Sequence, residues 1–267
     1  MSLLLHLSDP HFGTERPQVV AALLRLAQQV RPDVLLLSGD ITQRATAAQF
    51  AAAQAFVRQL ALPQCLVIPG NHDIPLWNVA LRCLRPYSRY SAAFGDELEP
   101  SLQTDEMLLL GLNTTRWWRH IDGQLSDAQI ERVAQRLAAA KPEQRRLVIV
   151  HQPLAITLPS DAKNRLHGHA AALQRWGEAG VDLVLGGHIH LPFVKPLPYG
   201  GWAVQAGTAL SNRVRHEADN SVNLIRIDVA LDMRAEVERW DYRAEQEAFV
   251  LHTRHRLVRG QTEEARA

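Results

Sequence analysis

Short apolar runs alternate with longer segments of helical period along the first part of the chain. LLLHL (3–7) precedes VVAALLRLAQQV (19–30), in front of which Pro17 suits the first turn of a helix. VLLL (34–37) then precedes ATAAQFAAAQAFVRQL (45–60). This alternation predicts βαβ units, and therefore a largely parallel sheet covered by helices. Four further apolar runs continue the strand series: CLVI (65–68), MLLLGL (107–112), LVIV (147–150) and DLVL (182–185).

Hairpin signals replace the helical segments after residue 190. PYGG (198–201) predicts a turn, and WAVQ (202–205) predicts a strand. Three longer runs predict antiparallel strands: VNLIRIDV (222–229), RAEVERWDYR (234–243) and AFVLHTRHRLV (248–258). The chain is therefore expected to be an α/β protein in which two sheets pack together with helices outside.

The length of 267 residues suits one large domain, which we predict over residues 1–260, followed by a frayed tail over 261–267. The segment 74–106 departs from the alternation of strands and helices. Its part from 75 to 95 is amphipathic and helical in character but is interrupted by Pro86. The segment is either a cap over a site or an elaborated crossover.

The composition argues against several classes of protein. Lys and Arg total 29 and Asp and Glu total 28, so the net charge of +1 implies no nucleic-acid partner. Cys65 and Cys83 are the two cysteines of the sequence, and this number argues against a disulfide framework or a cysteine-based zinc site. The N-terminal residues show no signal-peptide pattern, and no apolar stretch of the sequence approaches the ~20 residues of a membrane span. We expect a cytoplasmic protein without a membrane span that acts on a small molecule, and a homodimer is left open.

Polar side chains that can bind metals follow five of the predicted strands. They are, in chain order, Asp9 and His11, then Asp40, then Asn71, His72 and Asp73, then His151, and finally His188 and His190. Because loops beyond the carboxyl ends of parallel strands converge, these five ends predict one crevice. A lone Asp after a strand is usually a cap or turn former, but that does not explain all five ends. Side chains two apart in extended chain share a side, so we expect both imidazoles of VLGGHIHLP (184–192) to point into one space.

The residue types favour two metal ions. Two carboxylates, four imidazoles and one carboxamide are too many ligands for one tetrahedral zinc ion and suit two ions that share a bridging group. Asp40, with two oxygens, is the expected bridge. The remaining ligands would be Asp9, His11 and His190 for one ion, and Asn71, His151 and His188 for the other. Such sites lower the pKa of a shared water and stabilise the attacking and leaving oxygens at phosphorus.

His72 is left without a metal in this scheme. We expect it to donate a proton to the departing oxygen or to stabilise charge at phosphorus, as a positioned general acid does. The structural alternative is a substitute metal ligand or an orienting hydrogen bond. Asp73 is expected to orient its neighbours or to cap a helix.

The motifs D-x-H, G-D, G-N-H-D, a lone H and G-H-x-H, in this order from Asp9 to His190, resemble those of the calcineurin-like metallophosphoesterase superfamily. The resemblance implies a four-layer α/β/β/α sandwich of two mixed sheets flanked by helices. It implies two divalent metal ions, Mn, Fe, Zn or a mixture, and attack on phosphorus by a metal-bridging hydroxide. By position, the implied metal ligands are Asp9, His11, Asp40, Asn71, His151, His188 and His190. His72 is then the implied catalytic residue, and Asn71 and His72 are the implied substrate contacts.

The segments SDPHF, SGDIT and PGNHD further resemble the corresponding segments of bacterial class III cyclic nucleotide phosphodiesterases. The expected activity is therefore hydrolysis of a phosphodiester such as a 3',5'-cyclic nucleotide. Those enzymes often carry a run of histidines where this chain has the single His151. The UDP-diacylglucosamine pyrophosphohydrolases share the metal motifs and would use residues 74–106 as an apolar lid, although their typical D-x-H-L is DPHF here. A phosphomonoesterase is the third alternative.

Two loops outside the metal ligands are candidates for substrate contact. NTTRWWRH (113–120) offers Arg116, Trp117, Trp118 and Arg119 for stacking on a base or for binding phosphate, or a tryptophan for the core. SNRVR (211–215) brings Asn212 and Arg213 nearest the crevice, but a solvated loop is the favoured interpretation.

The remaining histidines are expected to be structural. His167 and His169 indicate a loop and a helix start, and His6 is expected to be a satisfied core histidine. The others are assigned to surface or strand positions: His120, His216, His252 and His255. No dinucleotide fingerprint, P-loop or serine elbow follows the predicted strands.

Overall fold

The computed structural model describes residues 1–216, 218–229, 235–258 and 261–266. The strands within these ranges are β1 (Ser2–Leu7), β2 (Val34–Ser38), β3 (Gln64–Ile68), β4 (Ser101–Gln103), β5 (Met107–Gly111), β6 (Arg145–Ile149), β7 (Leu183–Gly186), β8 (Phe193–Pro196), β9 (Trp202–Gln205), β10 (Ser221–Ile227), β11 (Ala235–Arg243), β12 (Ala248–Val258) and β13 (Gln261–Arg266). The α-helices are α1 (Pro17–Val30), α2 (Ala47–Leu60), α3 (Val79–Leu84), α4 (Ser88–Phe94), α5 (Asp127–Ala138) and α6 (His169–Glu178). Two 3₁₀ segments lie at Asn71–Asp73 and Pro159–Asn164.

The strands form two mixed sheets. The first has the order β13-β12-β11-β10-β1-β2-β3, in which β1, β2 and β3 are parallel and β10 to β13 pair antiparallel. The second has the order β4-β5-β6-β7-β9-β8, with a parallel centre and an antiparallel strand at each edge. The parallel centres of both sheets are the strands that the apolar runs predict.

Burial on both faces explains why the central strands are continuous apolar runs. In β1, Leu3, Leu5 and Leu7 pack into a cluster with α1 and α2, whereas Leu4 packs between the two sheets. A further cluster of described residues joins the second sheet to α5 and α6. Helix, sheet, sheet and helix therefore follow one another as layers, and the predicted α/β/β/α fold class is confirmed.

Local signals place the starts of the covering helices. α1 begins at Pro17, and its buried Val19 and Leu23 recur at the spacing of one helix face. α5 begins with a capping box, because the Ser126 side chain accepts from the Gln129 main-chain N–H and Gln129 Oε1 accepts from the Ser126 N–H.

The segment 74–106 is helical in two pieces, α3 and α4, which are separated around Pro86 as predicted. α4 packs against α2, where the Tyr90 ring meets Phe50 edge-on at a centroid distance of 6.4 Å. The Tyr90 hydroxyl donates to the Val67 carbonyl at 2.9 Å. β4 then pairs with β5 at the edge of the second sheet. These contacts favour the elaborated crossover, whereas α3 buries none of its side chains.

The C-terminal residues differ from the expected frayed tail. β13 pairs antiparallel with β12 from Gln261 opposite Val258 to Arg266 opposite Thr253. The correction has a physical reason: β12 is eleven residues long, and its edge presents backbone groups that the returning chain satisfies. Residue 267 lies outside the described residues, as does Arg234 of the predicted strand 234–243. The single domain over 1–260 stays a prediction.

Among the described residues, no helix is both long and apolar enough to cross a membrane. Cys65 and Cys83 are free and exposed.

Candidate metal centre

The predicted metal ligands come together where five parallel strands end. β1, β2 and β3 contribute from the first sheet, and β6 and β7 contribute from the second. Six of the residues form two groups, and within each group the ligand atoms lie within 4.8 Å of one another. The groups are Asp9, His11 and His190, and Asp40, His151 and His188. Asn71 adjoins the second group, since its Oδ1 lies 3.2 Å from His151 Nε2. Each group thus takes residues from both sheets.

The two histidines of the H-x-H motif line one cavity, as expected, but they join different ligand groups and the backbone there is not the extended chain that the expectation assumed. His188 and His190 have φ values of 72° and 57°, so the backbone is left-handed there and the alternation of extended chain does not apply. His188 joins Asp40, whereas His190 joins Asp9. Gly187 permits the turn, because a Cβ there would lie 1.7 Å from Ser8 Oγ at the end of β1.

Other ligand positions share this backbone conformation. Asp9, His11 and Asp40 have φ values of 53°, 44° and 48°. Non-glycine residues in this region cost about 1 kcal/mol or more each and are concentrated at functional sites. The loops therefore carry strain where the ligands converge.

The first group is a tight cluster of acceptor atoms. His190 Nε2 lies 3.1 Å from Asp9 Oδ1 and 3.2 Å from His11 Nε2. His11 Nε2 in turn lies 3.7 Å from Asp9 Oδ1. One carboxylate and two imidazoles at such distances form a donor set that suits a divalent transition metal.

Asp40 reaches both groups. Its Oδ1 lies 3.2 Å from His151 Nε2, and its Oδ2 lies 3.8 Å from His11 Nε2. The His188 ring stands edge-on to the His151 ring at a centroid distance of 5.1 Å. The two oxygens of Asp40 thus face different groups, which is the geometry that a bridging carboxylate requires.

Hydrogen bonds outside the cluster orient the imidazoles. His151 Nδ1 donates to the Ser38 carbonyl at 2.8 Å, and His190 Nδ1 donates to the Arg213 carbonyl at 2.6 Å. Both rings therefore turn Nε2 toward the centre of the site. His188 Nδ1 is buried, and no described residue is a hydrogen-bond partner for it. A buried imidazole nitrogen without a partner fits a metal ligand.

Burial and charge set the protonation of the site. Burial lowers the pKa values of His11 and His188 to about 3, so both imidazoles are neutral. Burial raises the pKa of Asp40, but His151 and His72 outweigh burial and hold it well below the usual value. Burial lowers the pKa of His151, yet Asp40 more than compensates and raises it to about 9. The carboxylates favour a positive charge between these groups, which either a proton or a metal cation supplies.

Asp73 holds the two loops after β2 and β3 together. Its carboxylate accepts from the main-chain N–H groups of Gly70, Ile41 and Thr42 at 2.8, 3.0 and 2.8 Å. It also accepts from the Thr42 hydroxyl at 2.9 Å. This agrees with the orienting role that its position after Asn71 predicts.

A cavity of about 490 Å³ opens over the two groups. Besides the predicted residues, its lining includes Gln43, Arg44, His120, Ile121, Asn164, Ile189 and Arg213. His120 is half-buried and lies 6.1 Å from His72 between ring centroids, so the surface position that the sequence assigns to it is in the wall of this cavity. No motif marks His120, Gln43 or Arg44, because each reaches the cavity from a loop of irregular structure.

Arg213 enters the site from the loop between β9 and β10. Its Nη1 lies 3.1 Å from His72 Nε2, 3.2 Å from Gln43 Oε1 and 3.4 Å from both ring nitrogens of His11. The interpretation of this loop as solvated is therefore wrong for Arg213, although it holds for the exposed Asn212.

The segment 113–120 is only partly directed toward the site. Arg116 turns inward and donates to Gln129 Oε1 at 2.6 Å, so it is a structural residue. Arg119 pairs with Asp122 at 2.9 Å. Trp117 and Trp118 are 42% and 58% exposed and contact each other edge-on. Neither tryptophan lines the cavity, and their role in substrate contact stays a prediction.

The other histidines lie where the sequence predicts. His6 is fully buried, and its Nε2 lies 2.9 Å from Ser38 Oγ. His169 begins α6, and His167 lies in the preceding loop beside Asp122. His252 and His255 lie on β12, and His216 is exposed.

Comparison with curated proteins gives two phosphodiesterases. The chain is 28% identical over 176 residues to a probable cyclic nucleotide phosphodiesterase of Synechococcus sp., a match that covers 66% of this chain and 64% of the relative. It is 23% identical over 202 residues to a cAMP/cGMP dual specificity phosphodiesterase of Mycobacterium tuberculosis, covering 70% and 61%. The matched part therefore spans less than two thirds of either relative.

Among solved structures, a purple acid phosphatase from yellow lupin (Lupinus luteus) superposes with a TM-score of 0.69 at 13% identity, covering 90% of this chain and 51% of that one. This likeness shows a shared fold. The family model of the calcineurin-like phosphoesterases matches residues 3–192, a range that includes all seven predicted ligands. The chain thus belongs to the calcineurin-like phosphoesterase family.

Proposed function

We propose that this chain is a metal-dependent phosphodiesterase that hydrolyses a small phosphodiester, with a 3',5'-cyclic nucleotide as the leading substrate. The observation that carries the proposal is the convergence of two ligand groups on Asp40 beneath one cavity. A cavity of about 490 Å³ admits a small molecule. The names of the two curated relatives support the diester and the cyclic nucleotide.

In this proposal the seven ligands have distinct duties. Asp40 is shared, and the others divide into Asp9, His11 and His190 for one cation and Asn71, His151 and His188 for the other. Their nitrogen and oxygen donors suit Mn, Fe or Zn, alone or mixed. Two divalent cations held there would supply an activated water and positive charge beside the phosphate.

His72 is the proposed catalytic residue. Its main-chain N–H donates to Asp40 Oδ1 at 2.8 Å, and its Nδ1 donates to the Gln43 carbonyl at 3.0 Å. These bonds fix the ring with Nε2 toward the cavity. Once Nε2 has taken up a proton from solvent, it can donate to the substrate phosphate and pass that proton to the departing oxygen. Asn71, the second proposed substrate contact, turns Oδ1 to His151 and keeps an N–H₂ donor for a phosphate oxygen.

A second candidate function is pyrophosphohydrolysis of a nucleotide-linked lipid. It is supported by the exposed apolar side chains at and beside α3, since Trp77 and Leu84 are both 80% exposed and Val79 is 66% exposed. Arg82 of α3 contacts the Arg119 carbonyl, so this helix adjoins the loop that leads to the cavity. The cavity over the ligand groups is itself lined mainly by polar side chains, which favours the soluble diester.

A substrate panel on manganese-loaded protein tests both functions. It compares an aryl phosphodiester, an aryl phosphomonoester, cyclic AMP and a UDP-linked lipid, with and without detergent. We expect the aryl diester to be hydrolysed faster than the monoester, and cyclic AMP to be hydrolysed. A preference for the monoester would contradict the diesterase assignment, and detergent-dependent turnover of the lipid alone would favour the second candidate.

Elemental analysis of the purified protein, before and after reconstitution, tests the metal centre itself. We expect two divalent ions per chain after reconstitution. Fewer than two would contradict the shared role of Asp40.

A further inference from the structure

Arg213 lies beside the candidate metal centre and has no anionic partner among the residues that the structure describes. No carboxylate of the described residues lies within salt-bridge distance of its guanidinium, whose neighbours are His72, His11 and Gln43. Arg215, two residues later, differs in this respect, because its Nη1 lies 3.0 Å from both carboxylate oxygens of Asp161. The loop thus carries one arginine bound to a carboxylate and one that faces the cavity.

The atoms around Arg213 show which way its donors point. A guanidinium has only N–H donors, so Nη1 donates to His72 Nε2 and to Gln43 Oε1. Both contacts are to neutral or uncharged acceptors, which bind a guanidinium more weakly than an anionic oxygen does. A phosphate oxygen that enters the cavity next to His72 would therefore be a better acceptor for the same N–H group.

The main chain of Arg213 has a separate duty. Its carbonyl accepts from His190 Nδ1 at 2.6 Å and from the Thr208 hydroxyl at 3.1 Å. The bond with His190 orients a proposed metal ligand and does not involve the Arg213 guanidinium. A substitution of the side chain leaves the carbonyl in place, so the two duties can be separated by experiment.

We propose that Arg213 is a substrate-binding residue whose guanidinium donates to the oxygens of the substrate phosphate beside His72. On binding, Nη1 exchanges its contact with His72 Nε2 for a phosphate oxygen. The freed Nε2 can then take up a proton from solvent, which it donates to the departing oxygen. The planar fork of arginine matches two phosphate oxygens, whereas a lysine ammonium offers a single point of charge. This inference rests on the proposed function, because it takes a phosphate ester as the ligand.

Three variants test it: Arg213→Gln, Arg213→Lys, and Arg58→Gln as a control that removes one exposed arginine from α2. Inorganic phosphate is the probe, and its binding to the manganese-loaded proteins is measured by calorimetry and as competitive inhibition. Metal content is measured by elemental analysis on the same samples. Kinetic constants for the aryl diester complete the set.

We expect Arg213→Gln to keep the metal content of the wild type and to bind phosphate about 10- to 100-fold more weakly, as the loss of a hydrogen bond to a charged group predicts. KM for the diester should rise by a similar factor, Arg213→Lys should fall between, and Arg58→Gln should match the wild type. Unchanged phosphate affinity in Arg213→Gln would overturn the proposal. Loss of metal in that variant would also overturn it, since the guanidinium would then support the ligands instead.

The phosphate measurement separates this inference from the proposed function. Phosphate binding that depends on Arg213, without turnover of any diester, would contradict the phosphodiesterase and leave the phosphate contact standing. Turnover of the diester by the wild type, together with phosphate binding that does not depend on Arg213, would support the phosphodiesterase and overturn the role of Arg213. Failure of the wild type to bind phosphate at all would overturn the role of Arg213.

Discussion

Asp40 Oδ1 accepts a hydrogen bond from the main-chain N–H of His72 at 2.8 Å. The same oxygen lies 3.2 Å from His151 Nε2, so one carboxylate contacts both a proposed ligand and the backbone of the proposed catalytic residue. A change at Asp40 should therefore affect metal binding and catalysis together. A change confined to the His72 side chain should affect catalysis alone.

We expect Asp40→Asn to lose both metal and activity. The carboxamide keeps one acceptor oxygen but loses the negative charge and the second oxygen that reaches toward His11. Elemental analysis after reconstitution should give fewer than two ions per chain, with turnover near background. Asp96→Asn, which alters an exposed carboxylate, is the matched control. Full metal content and activity in Asp40→Asn would reject the bridging role.

His72→Ala should keep its metal and lose about 10²- to 10⁴-fold in kcat, the usual contribution of a positioned general acid. Metal content and kcat are measured on one preparation. The control is His120→Ala, which removes the imidazole next to His72 in the same cavity and should change kcat much less. Wild-type kcat in His72→Ala would show that the residue only orients its neighbours.

Asp73→Ala should destabilise the fold without touching a metal ligand side chain. The substitution leaves the N–H groups of Gly70, Ile41 and Thr42 without their buried acceptor. At about 1–3 kcal/mol for each unsatisfied group, with some relaxation, we expect the free energy of unfolding to fall by about 3–5 kcal/mol. Urea unfolding measures the change. A loss no larger than that of the exposed-site control Asp96→Ala would contradict the role of Asp73.

His6 should make the fold less stable in acid. Burial lowers its pKa to about 4 from an ordinary value near 6.5, so between these values the unfolded chain binds a proton that the folded chain does not. The contribution of His6 to stability is therefore complete above about pH 6.5 and falls by about 3 kcal/mol toward pH 4. Unfolding of wild type and His6→Gln across this range should show the dependence shrinking in the variant. Parallel curves would show that His6 does not titrate as described.

The strands and the order of the proposed ligands could be predicted because both are local properties of the chain. An apolar run that ends in a polar motif is visible in ten residues, and the five ends converge simply because β1, β2, β3, β6 and β7 are parallel within their sheets. His188 and His190 face one cavity as expected, but the geometric argument for this failed for a local reason. It assumed extended backbone, whereas both residues are left-handed after Gly187.

Arg213 could not be placed from the sequence because its position depends on distant pairing. β9 lies beside β7, with Gln205 opposite Gly186, and this register brings the loop after β9 alongside the histidine motif. Arg116, which the sequence leaves as one candidate for substrate contact, lies away from the cavity. Its attraction to Gln129 in α5 turns it away from the cavity, and nothing in NTTRWWRH records that partner.

Each ligand group draws on both sheets, with Asp9 and Asp40 from the first and His151, His188 and His190 from the second. If cations occupy the groups as proposed, each ion connects residues of the two sheets. The binding free energy of each ion then stabilises the packing of one sheet against the other. A chain in which the second sheet is not packed against the first would hold neither complete ligand group. Under the proposed function, phosphodiester hydrolysis would therefore require both sheets to be assembled.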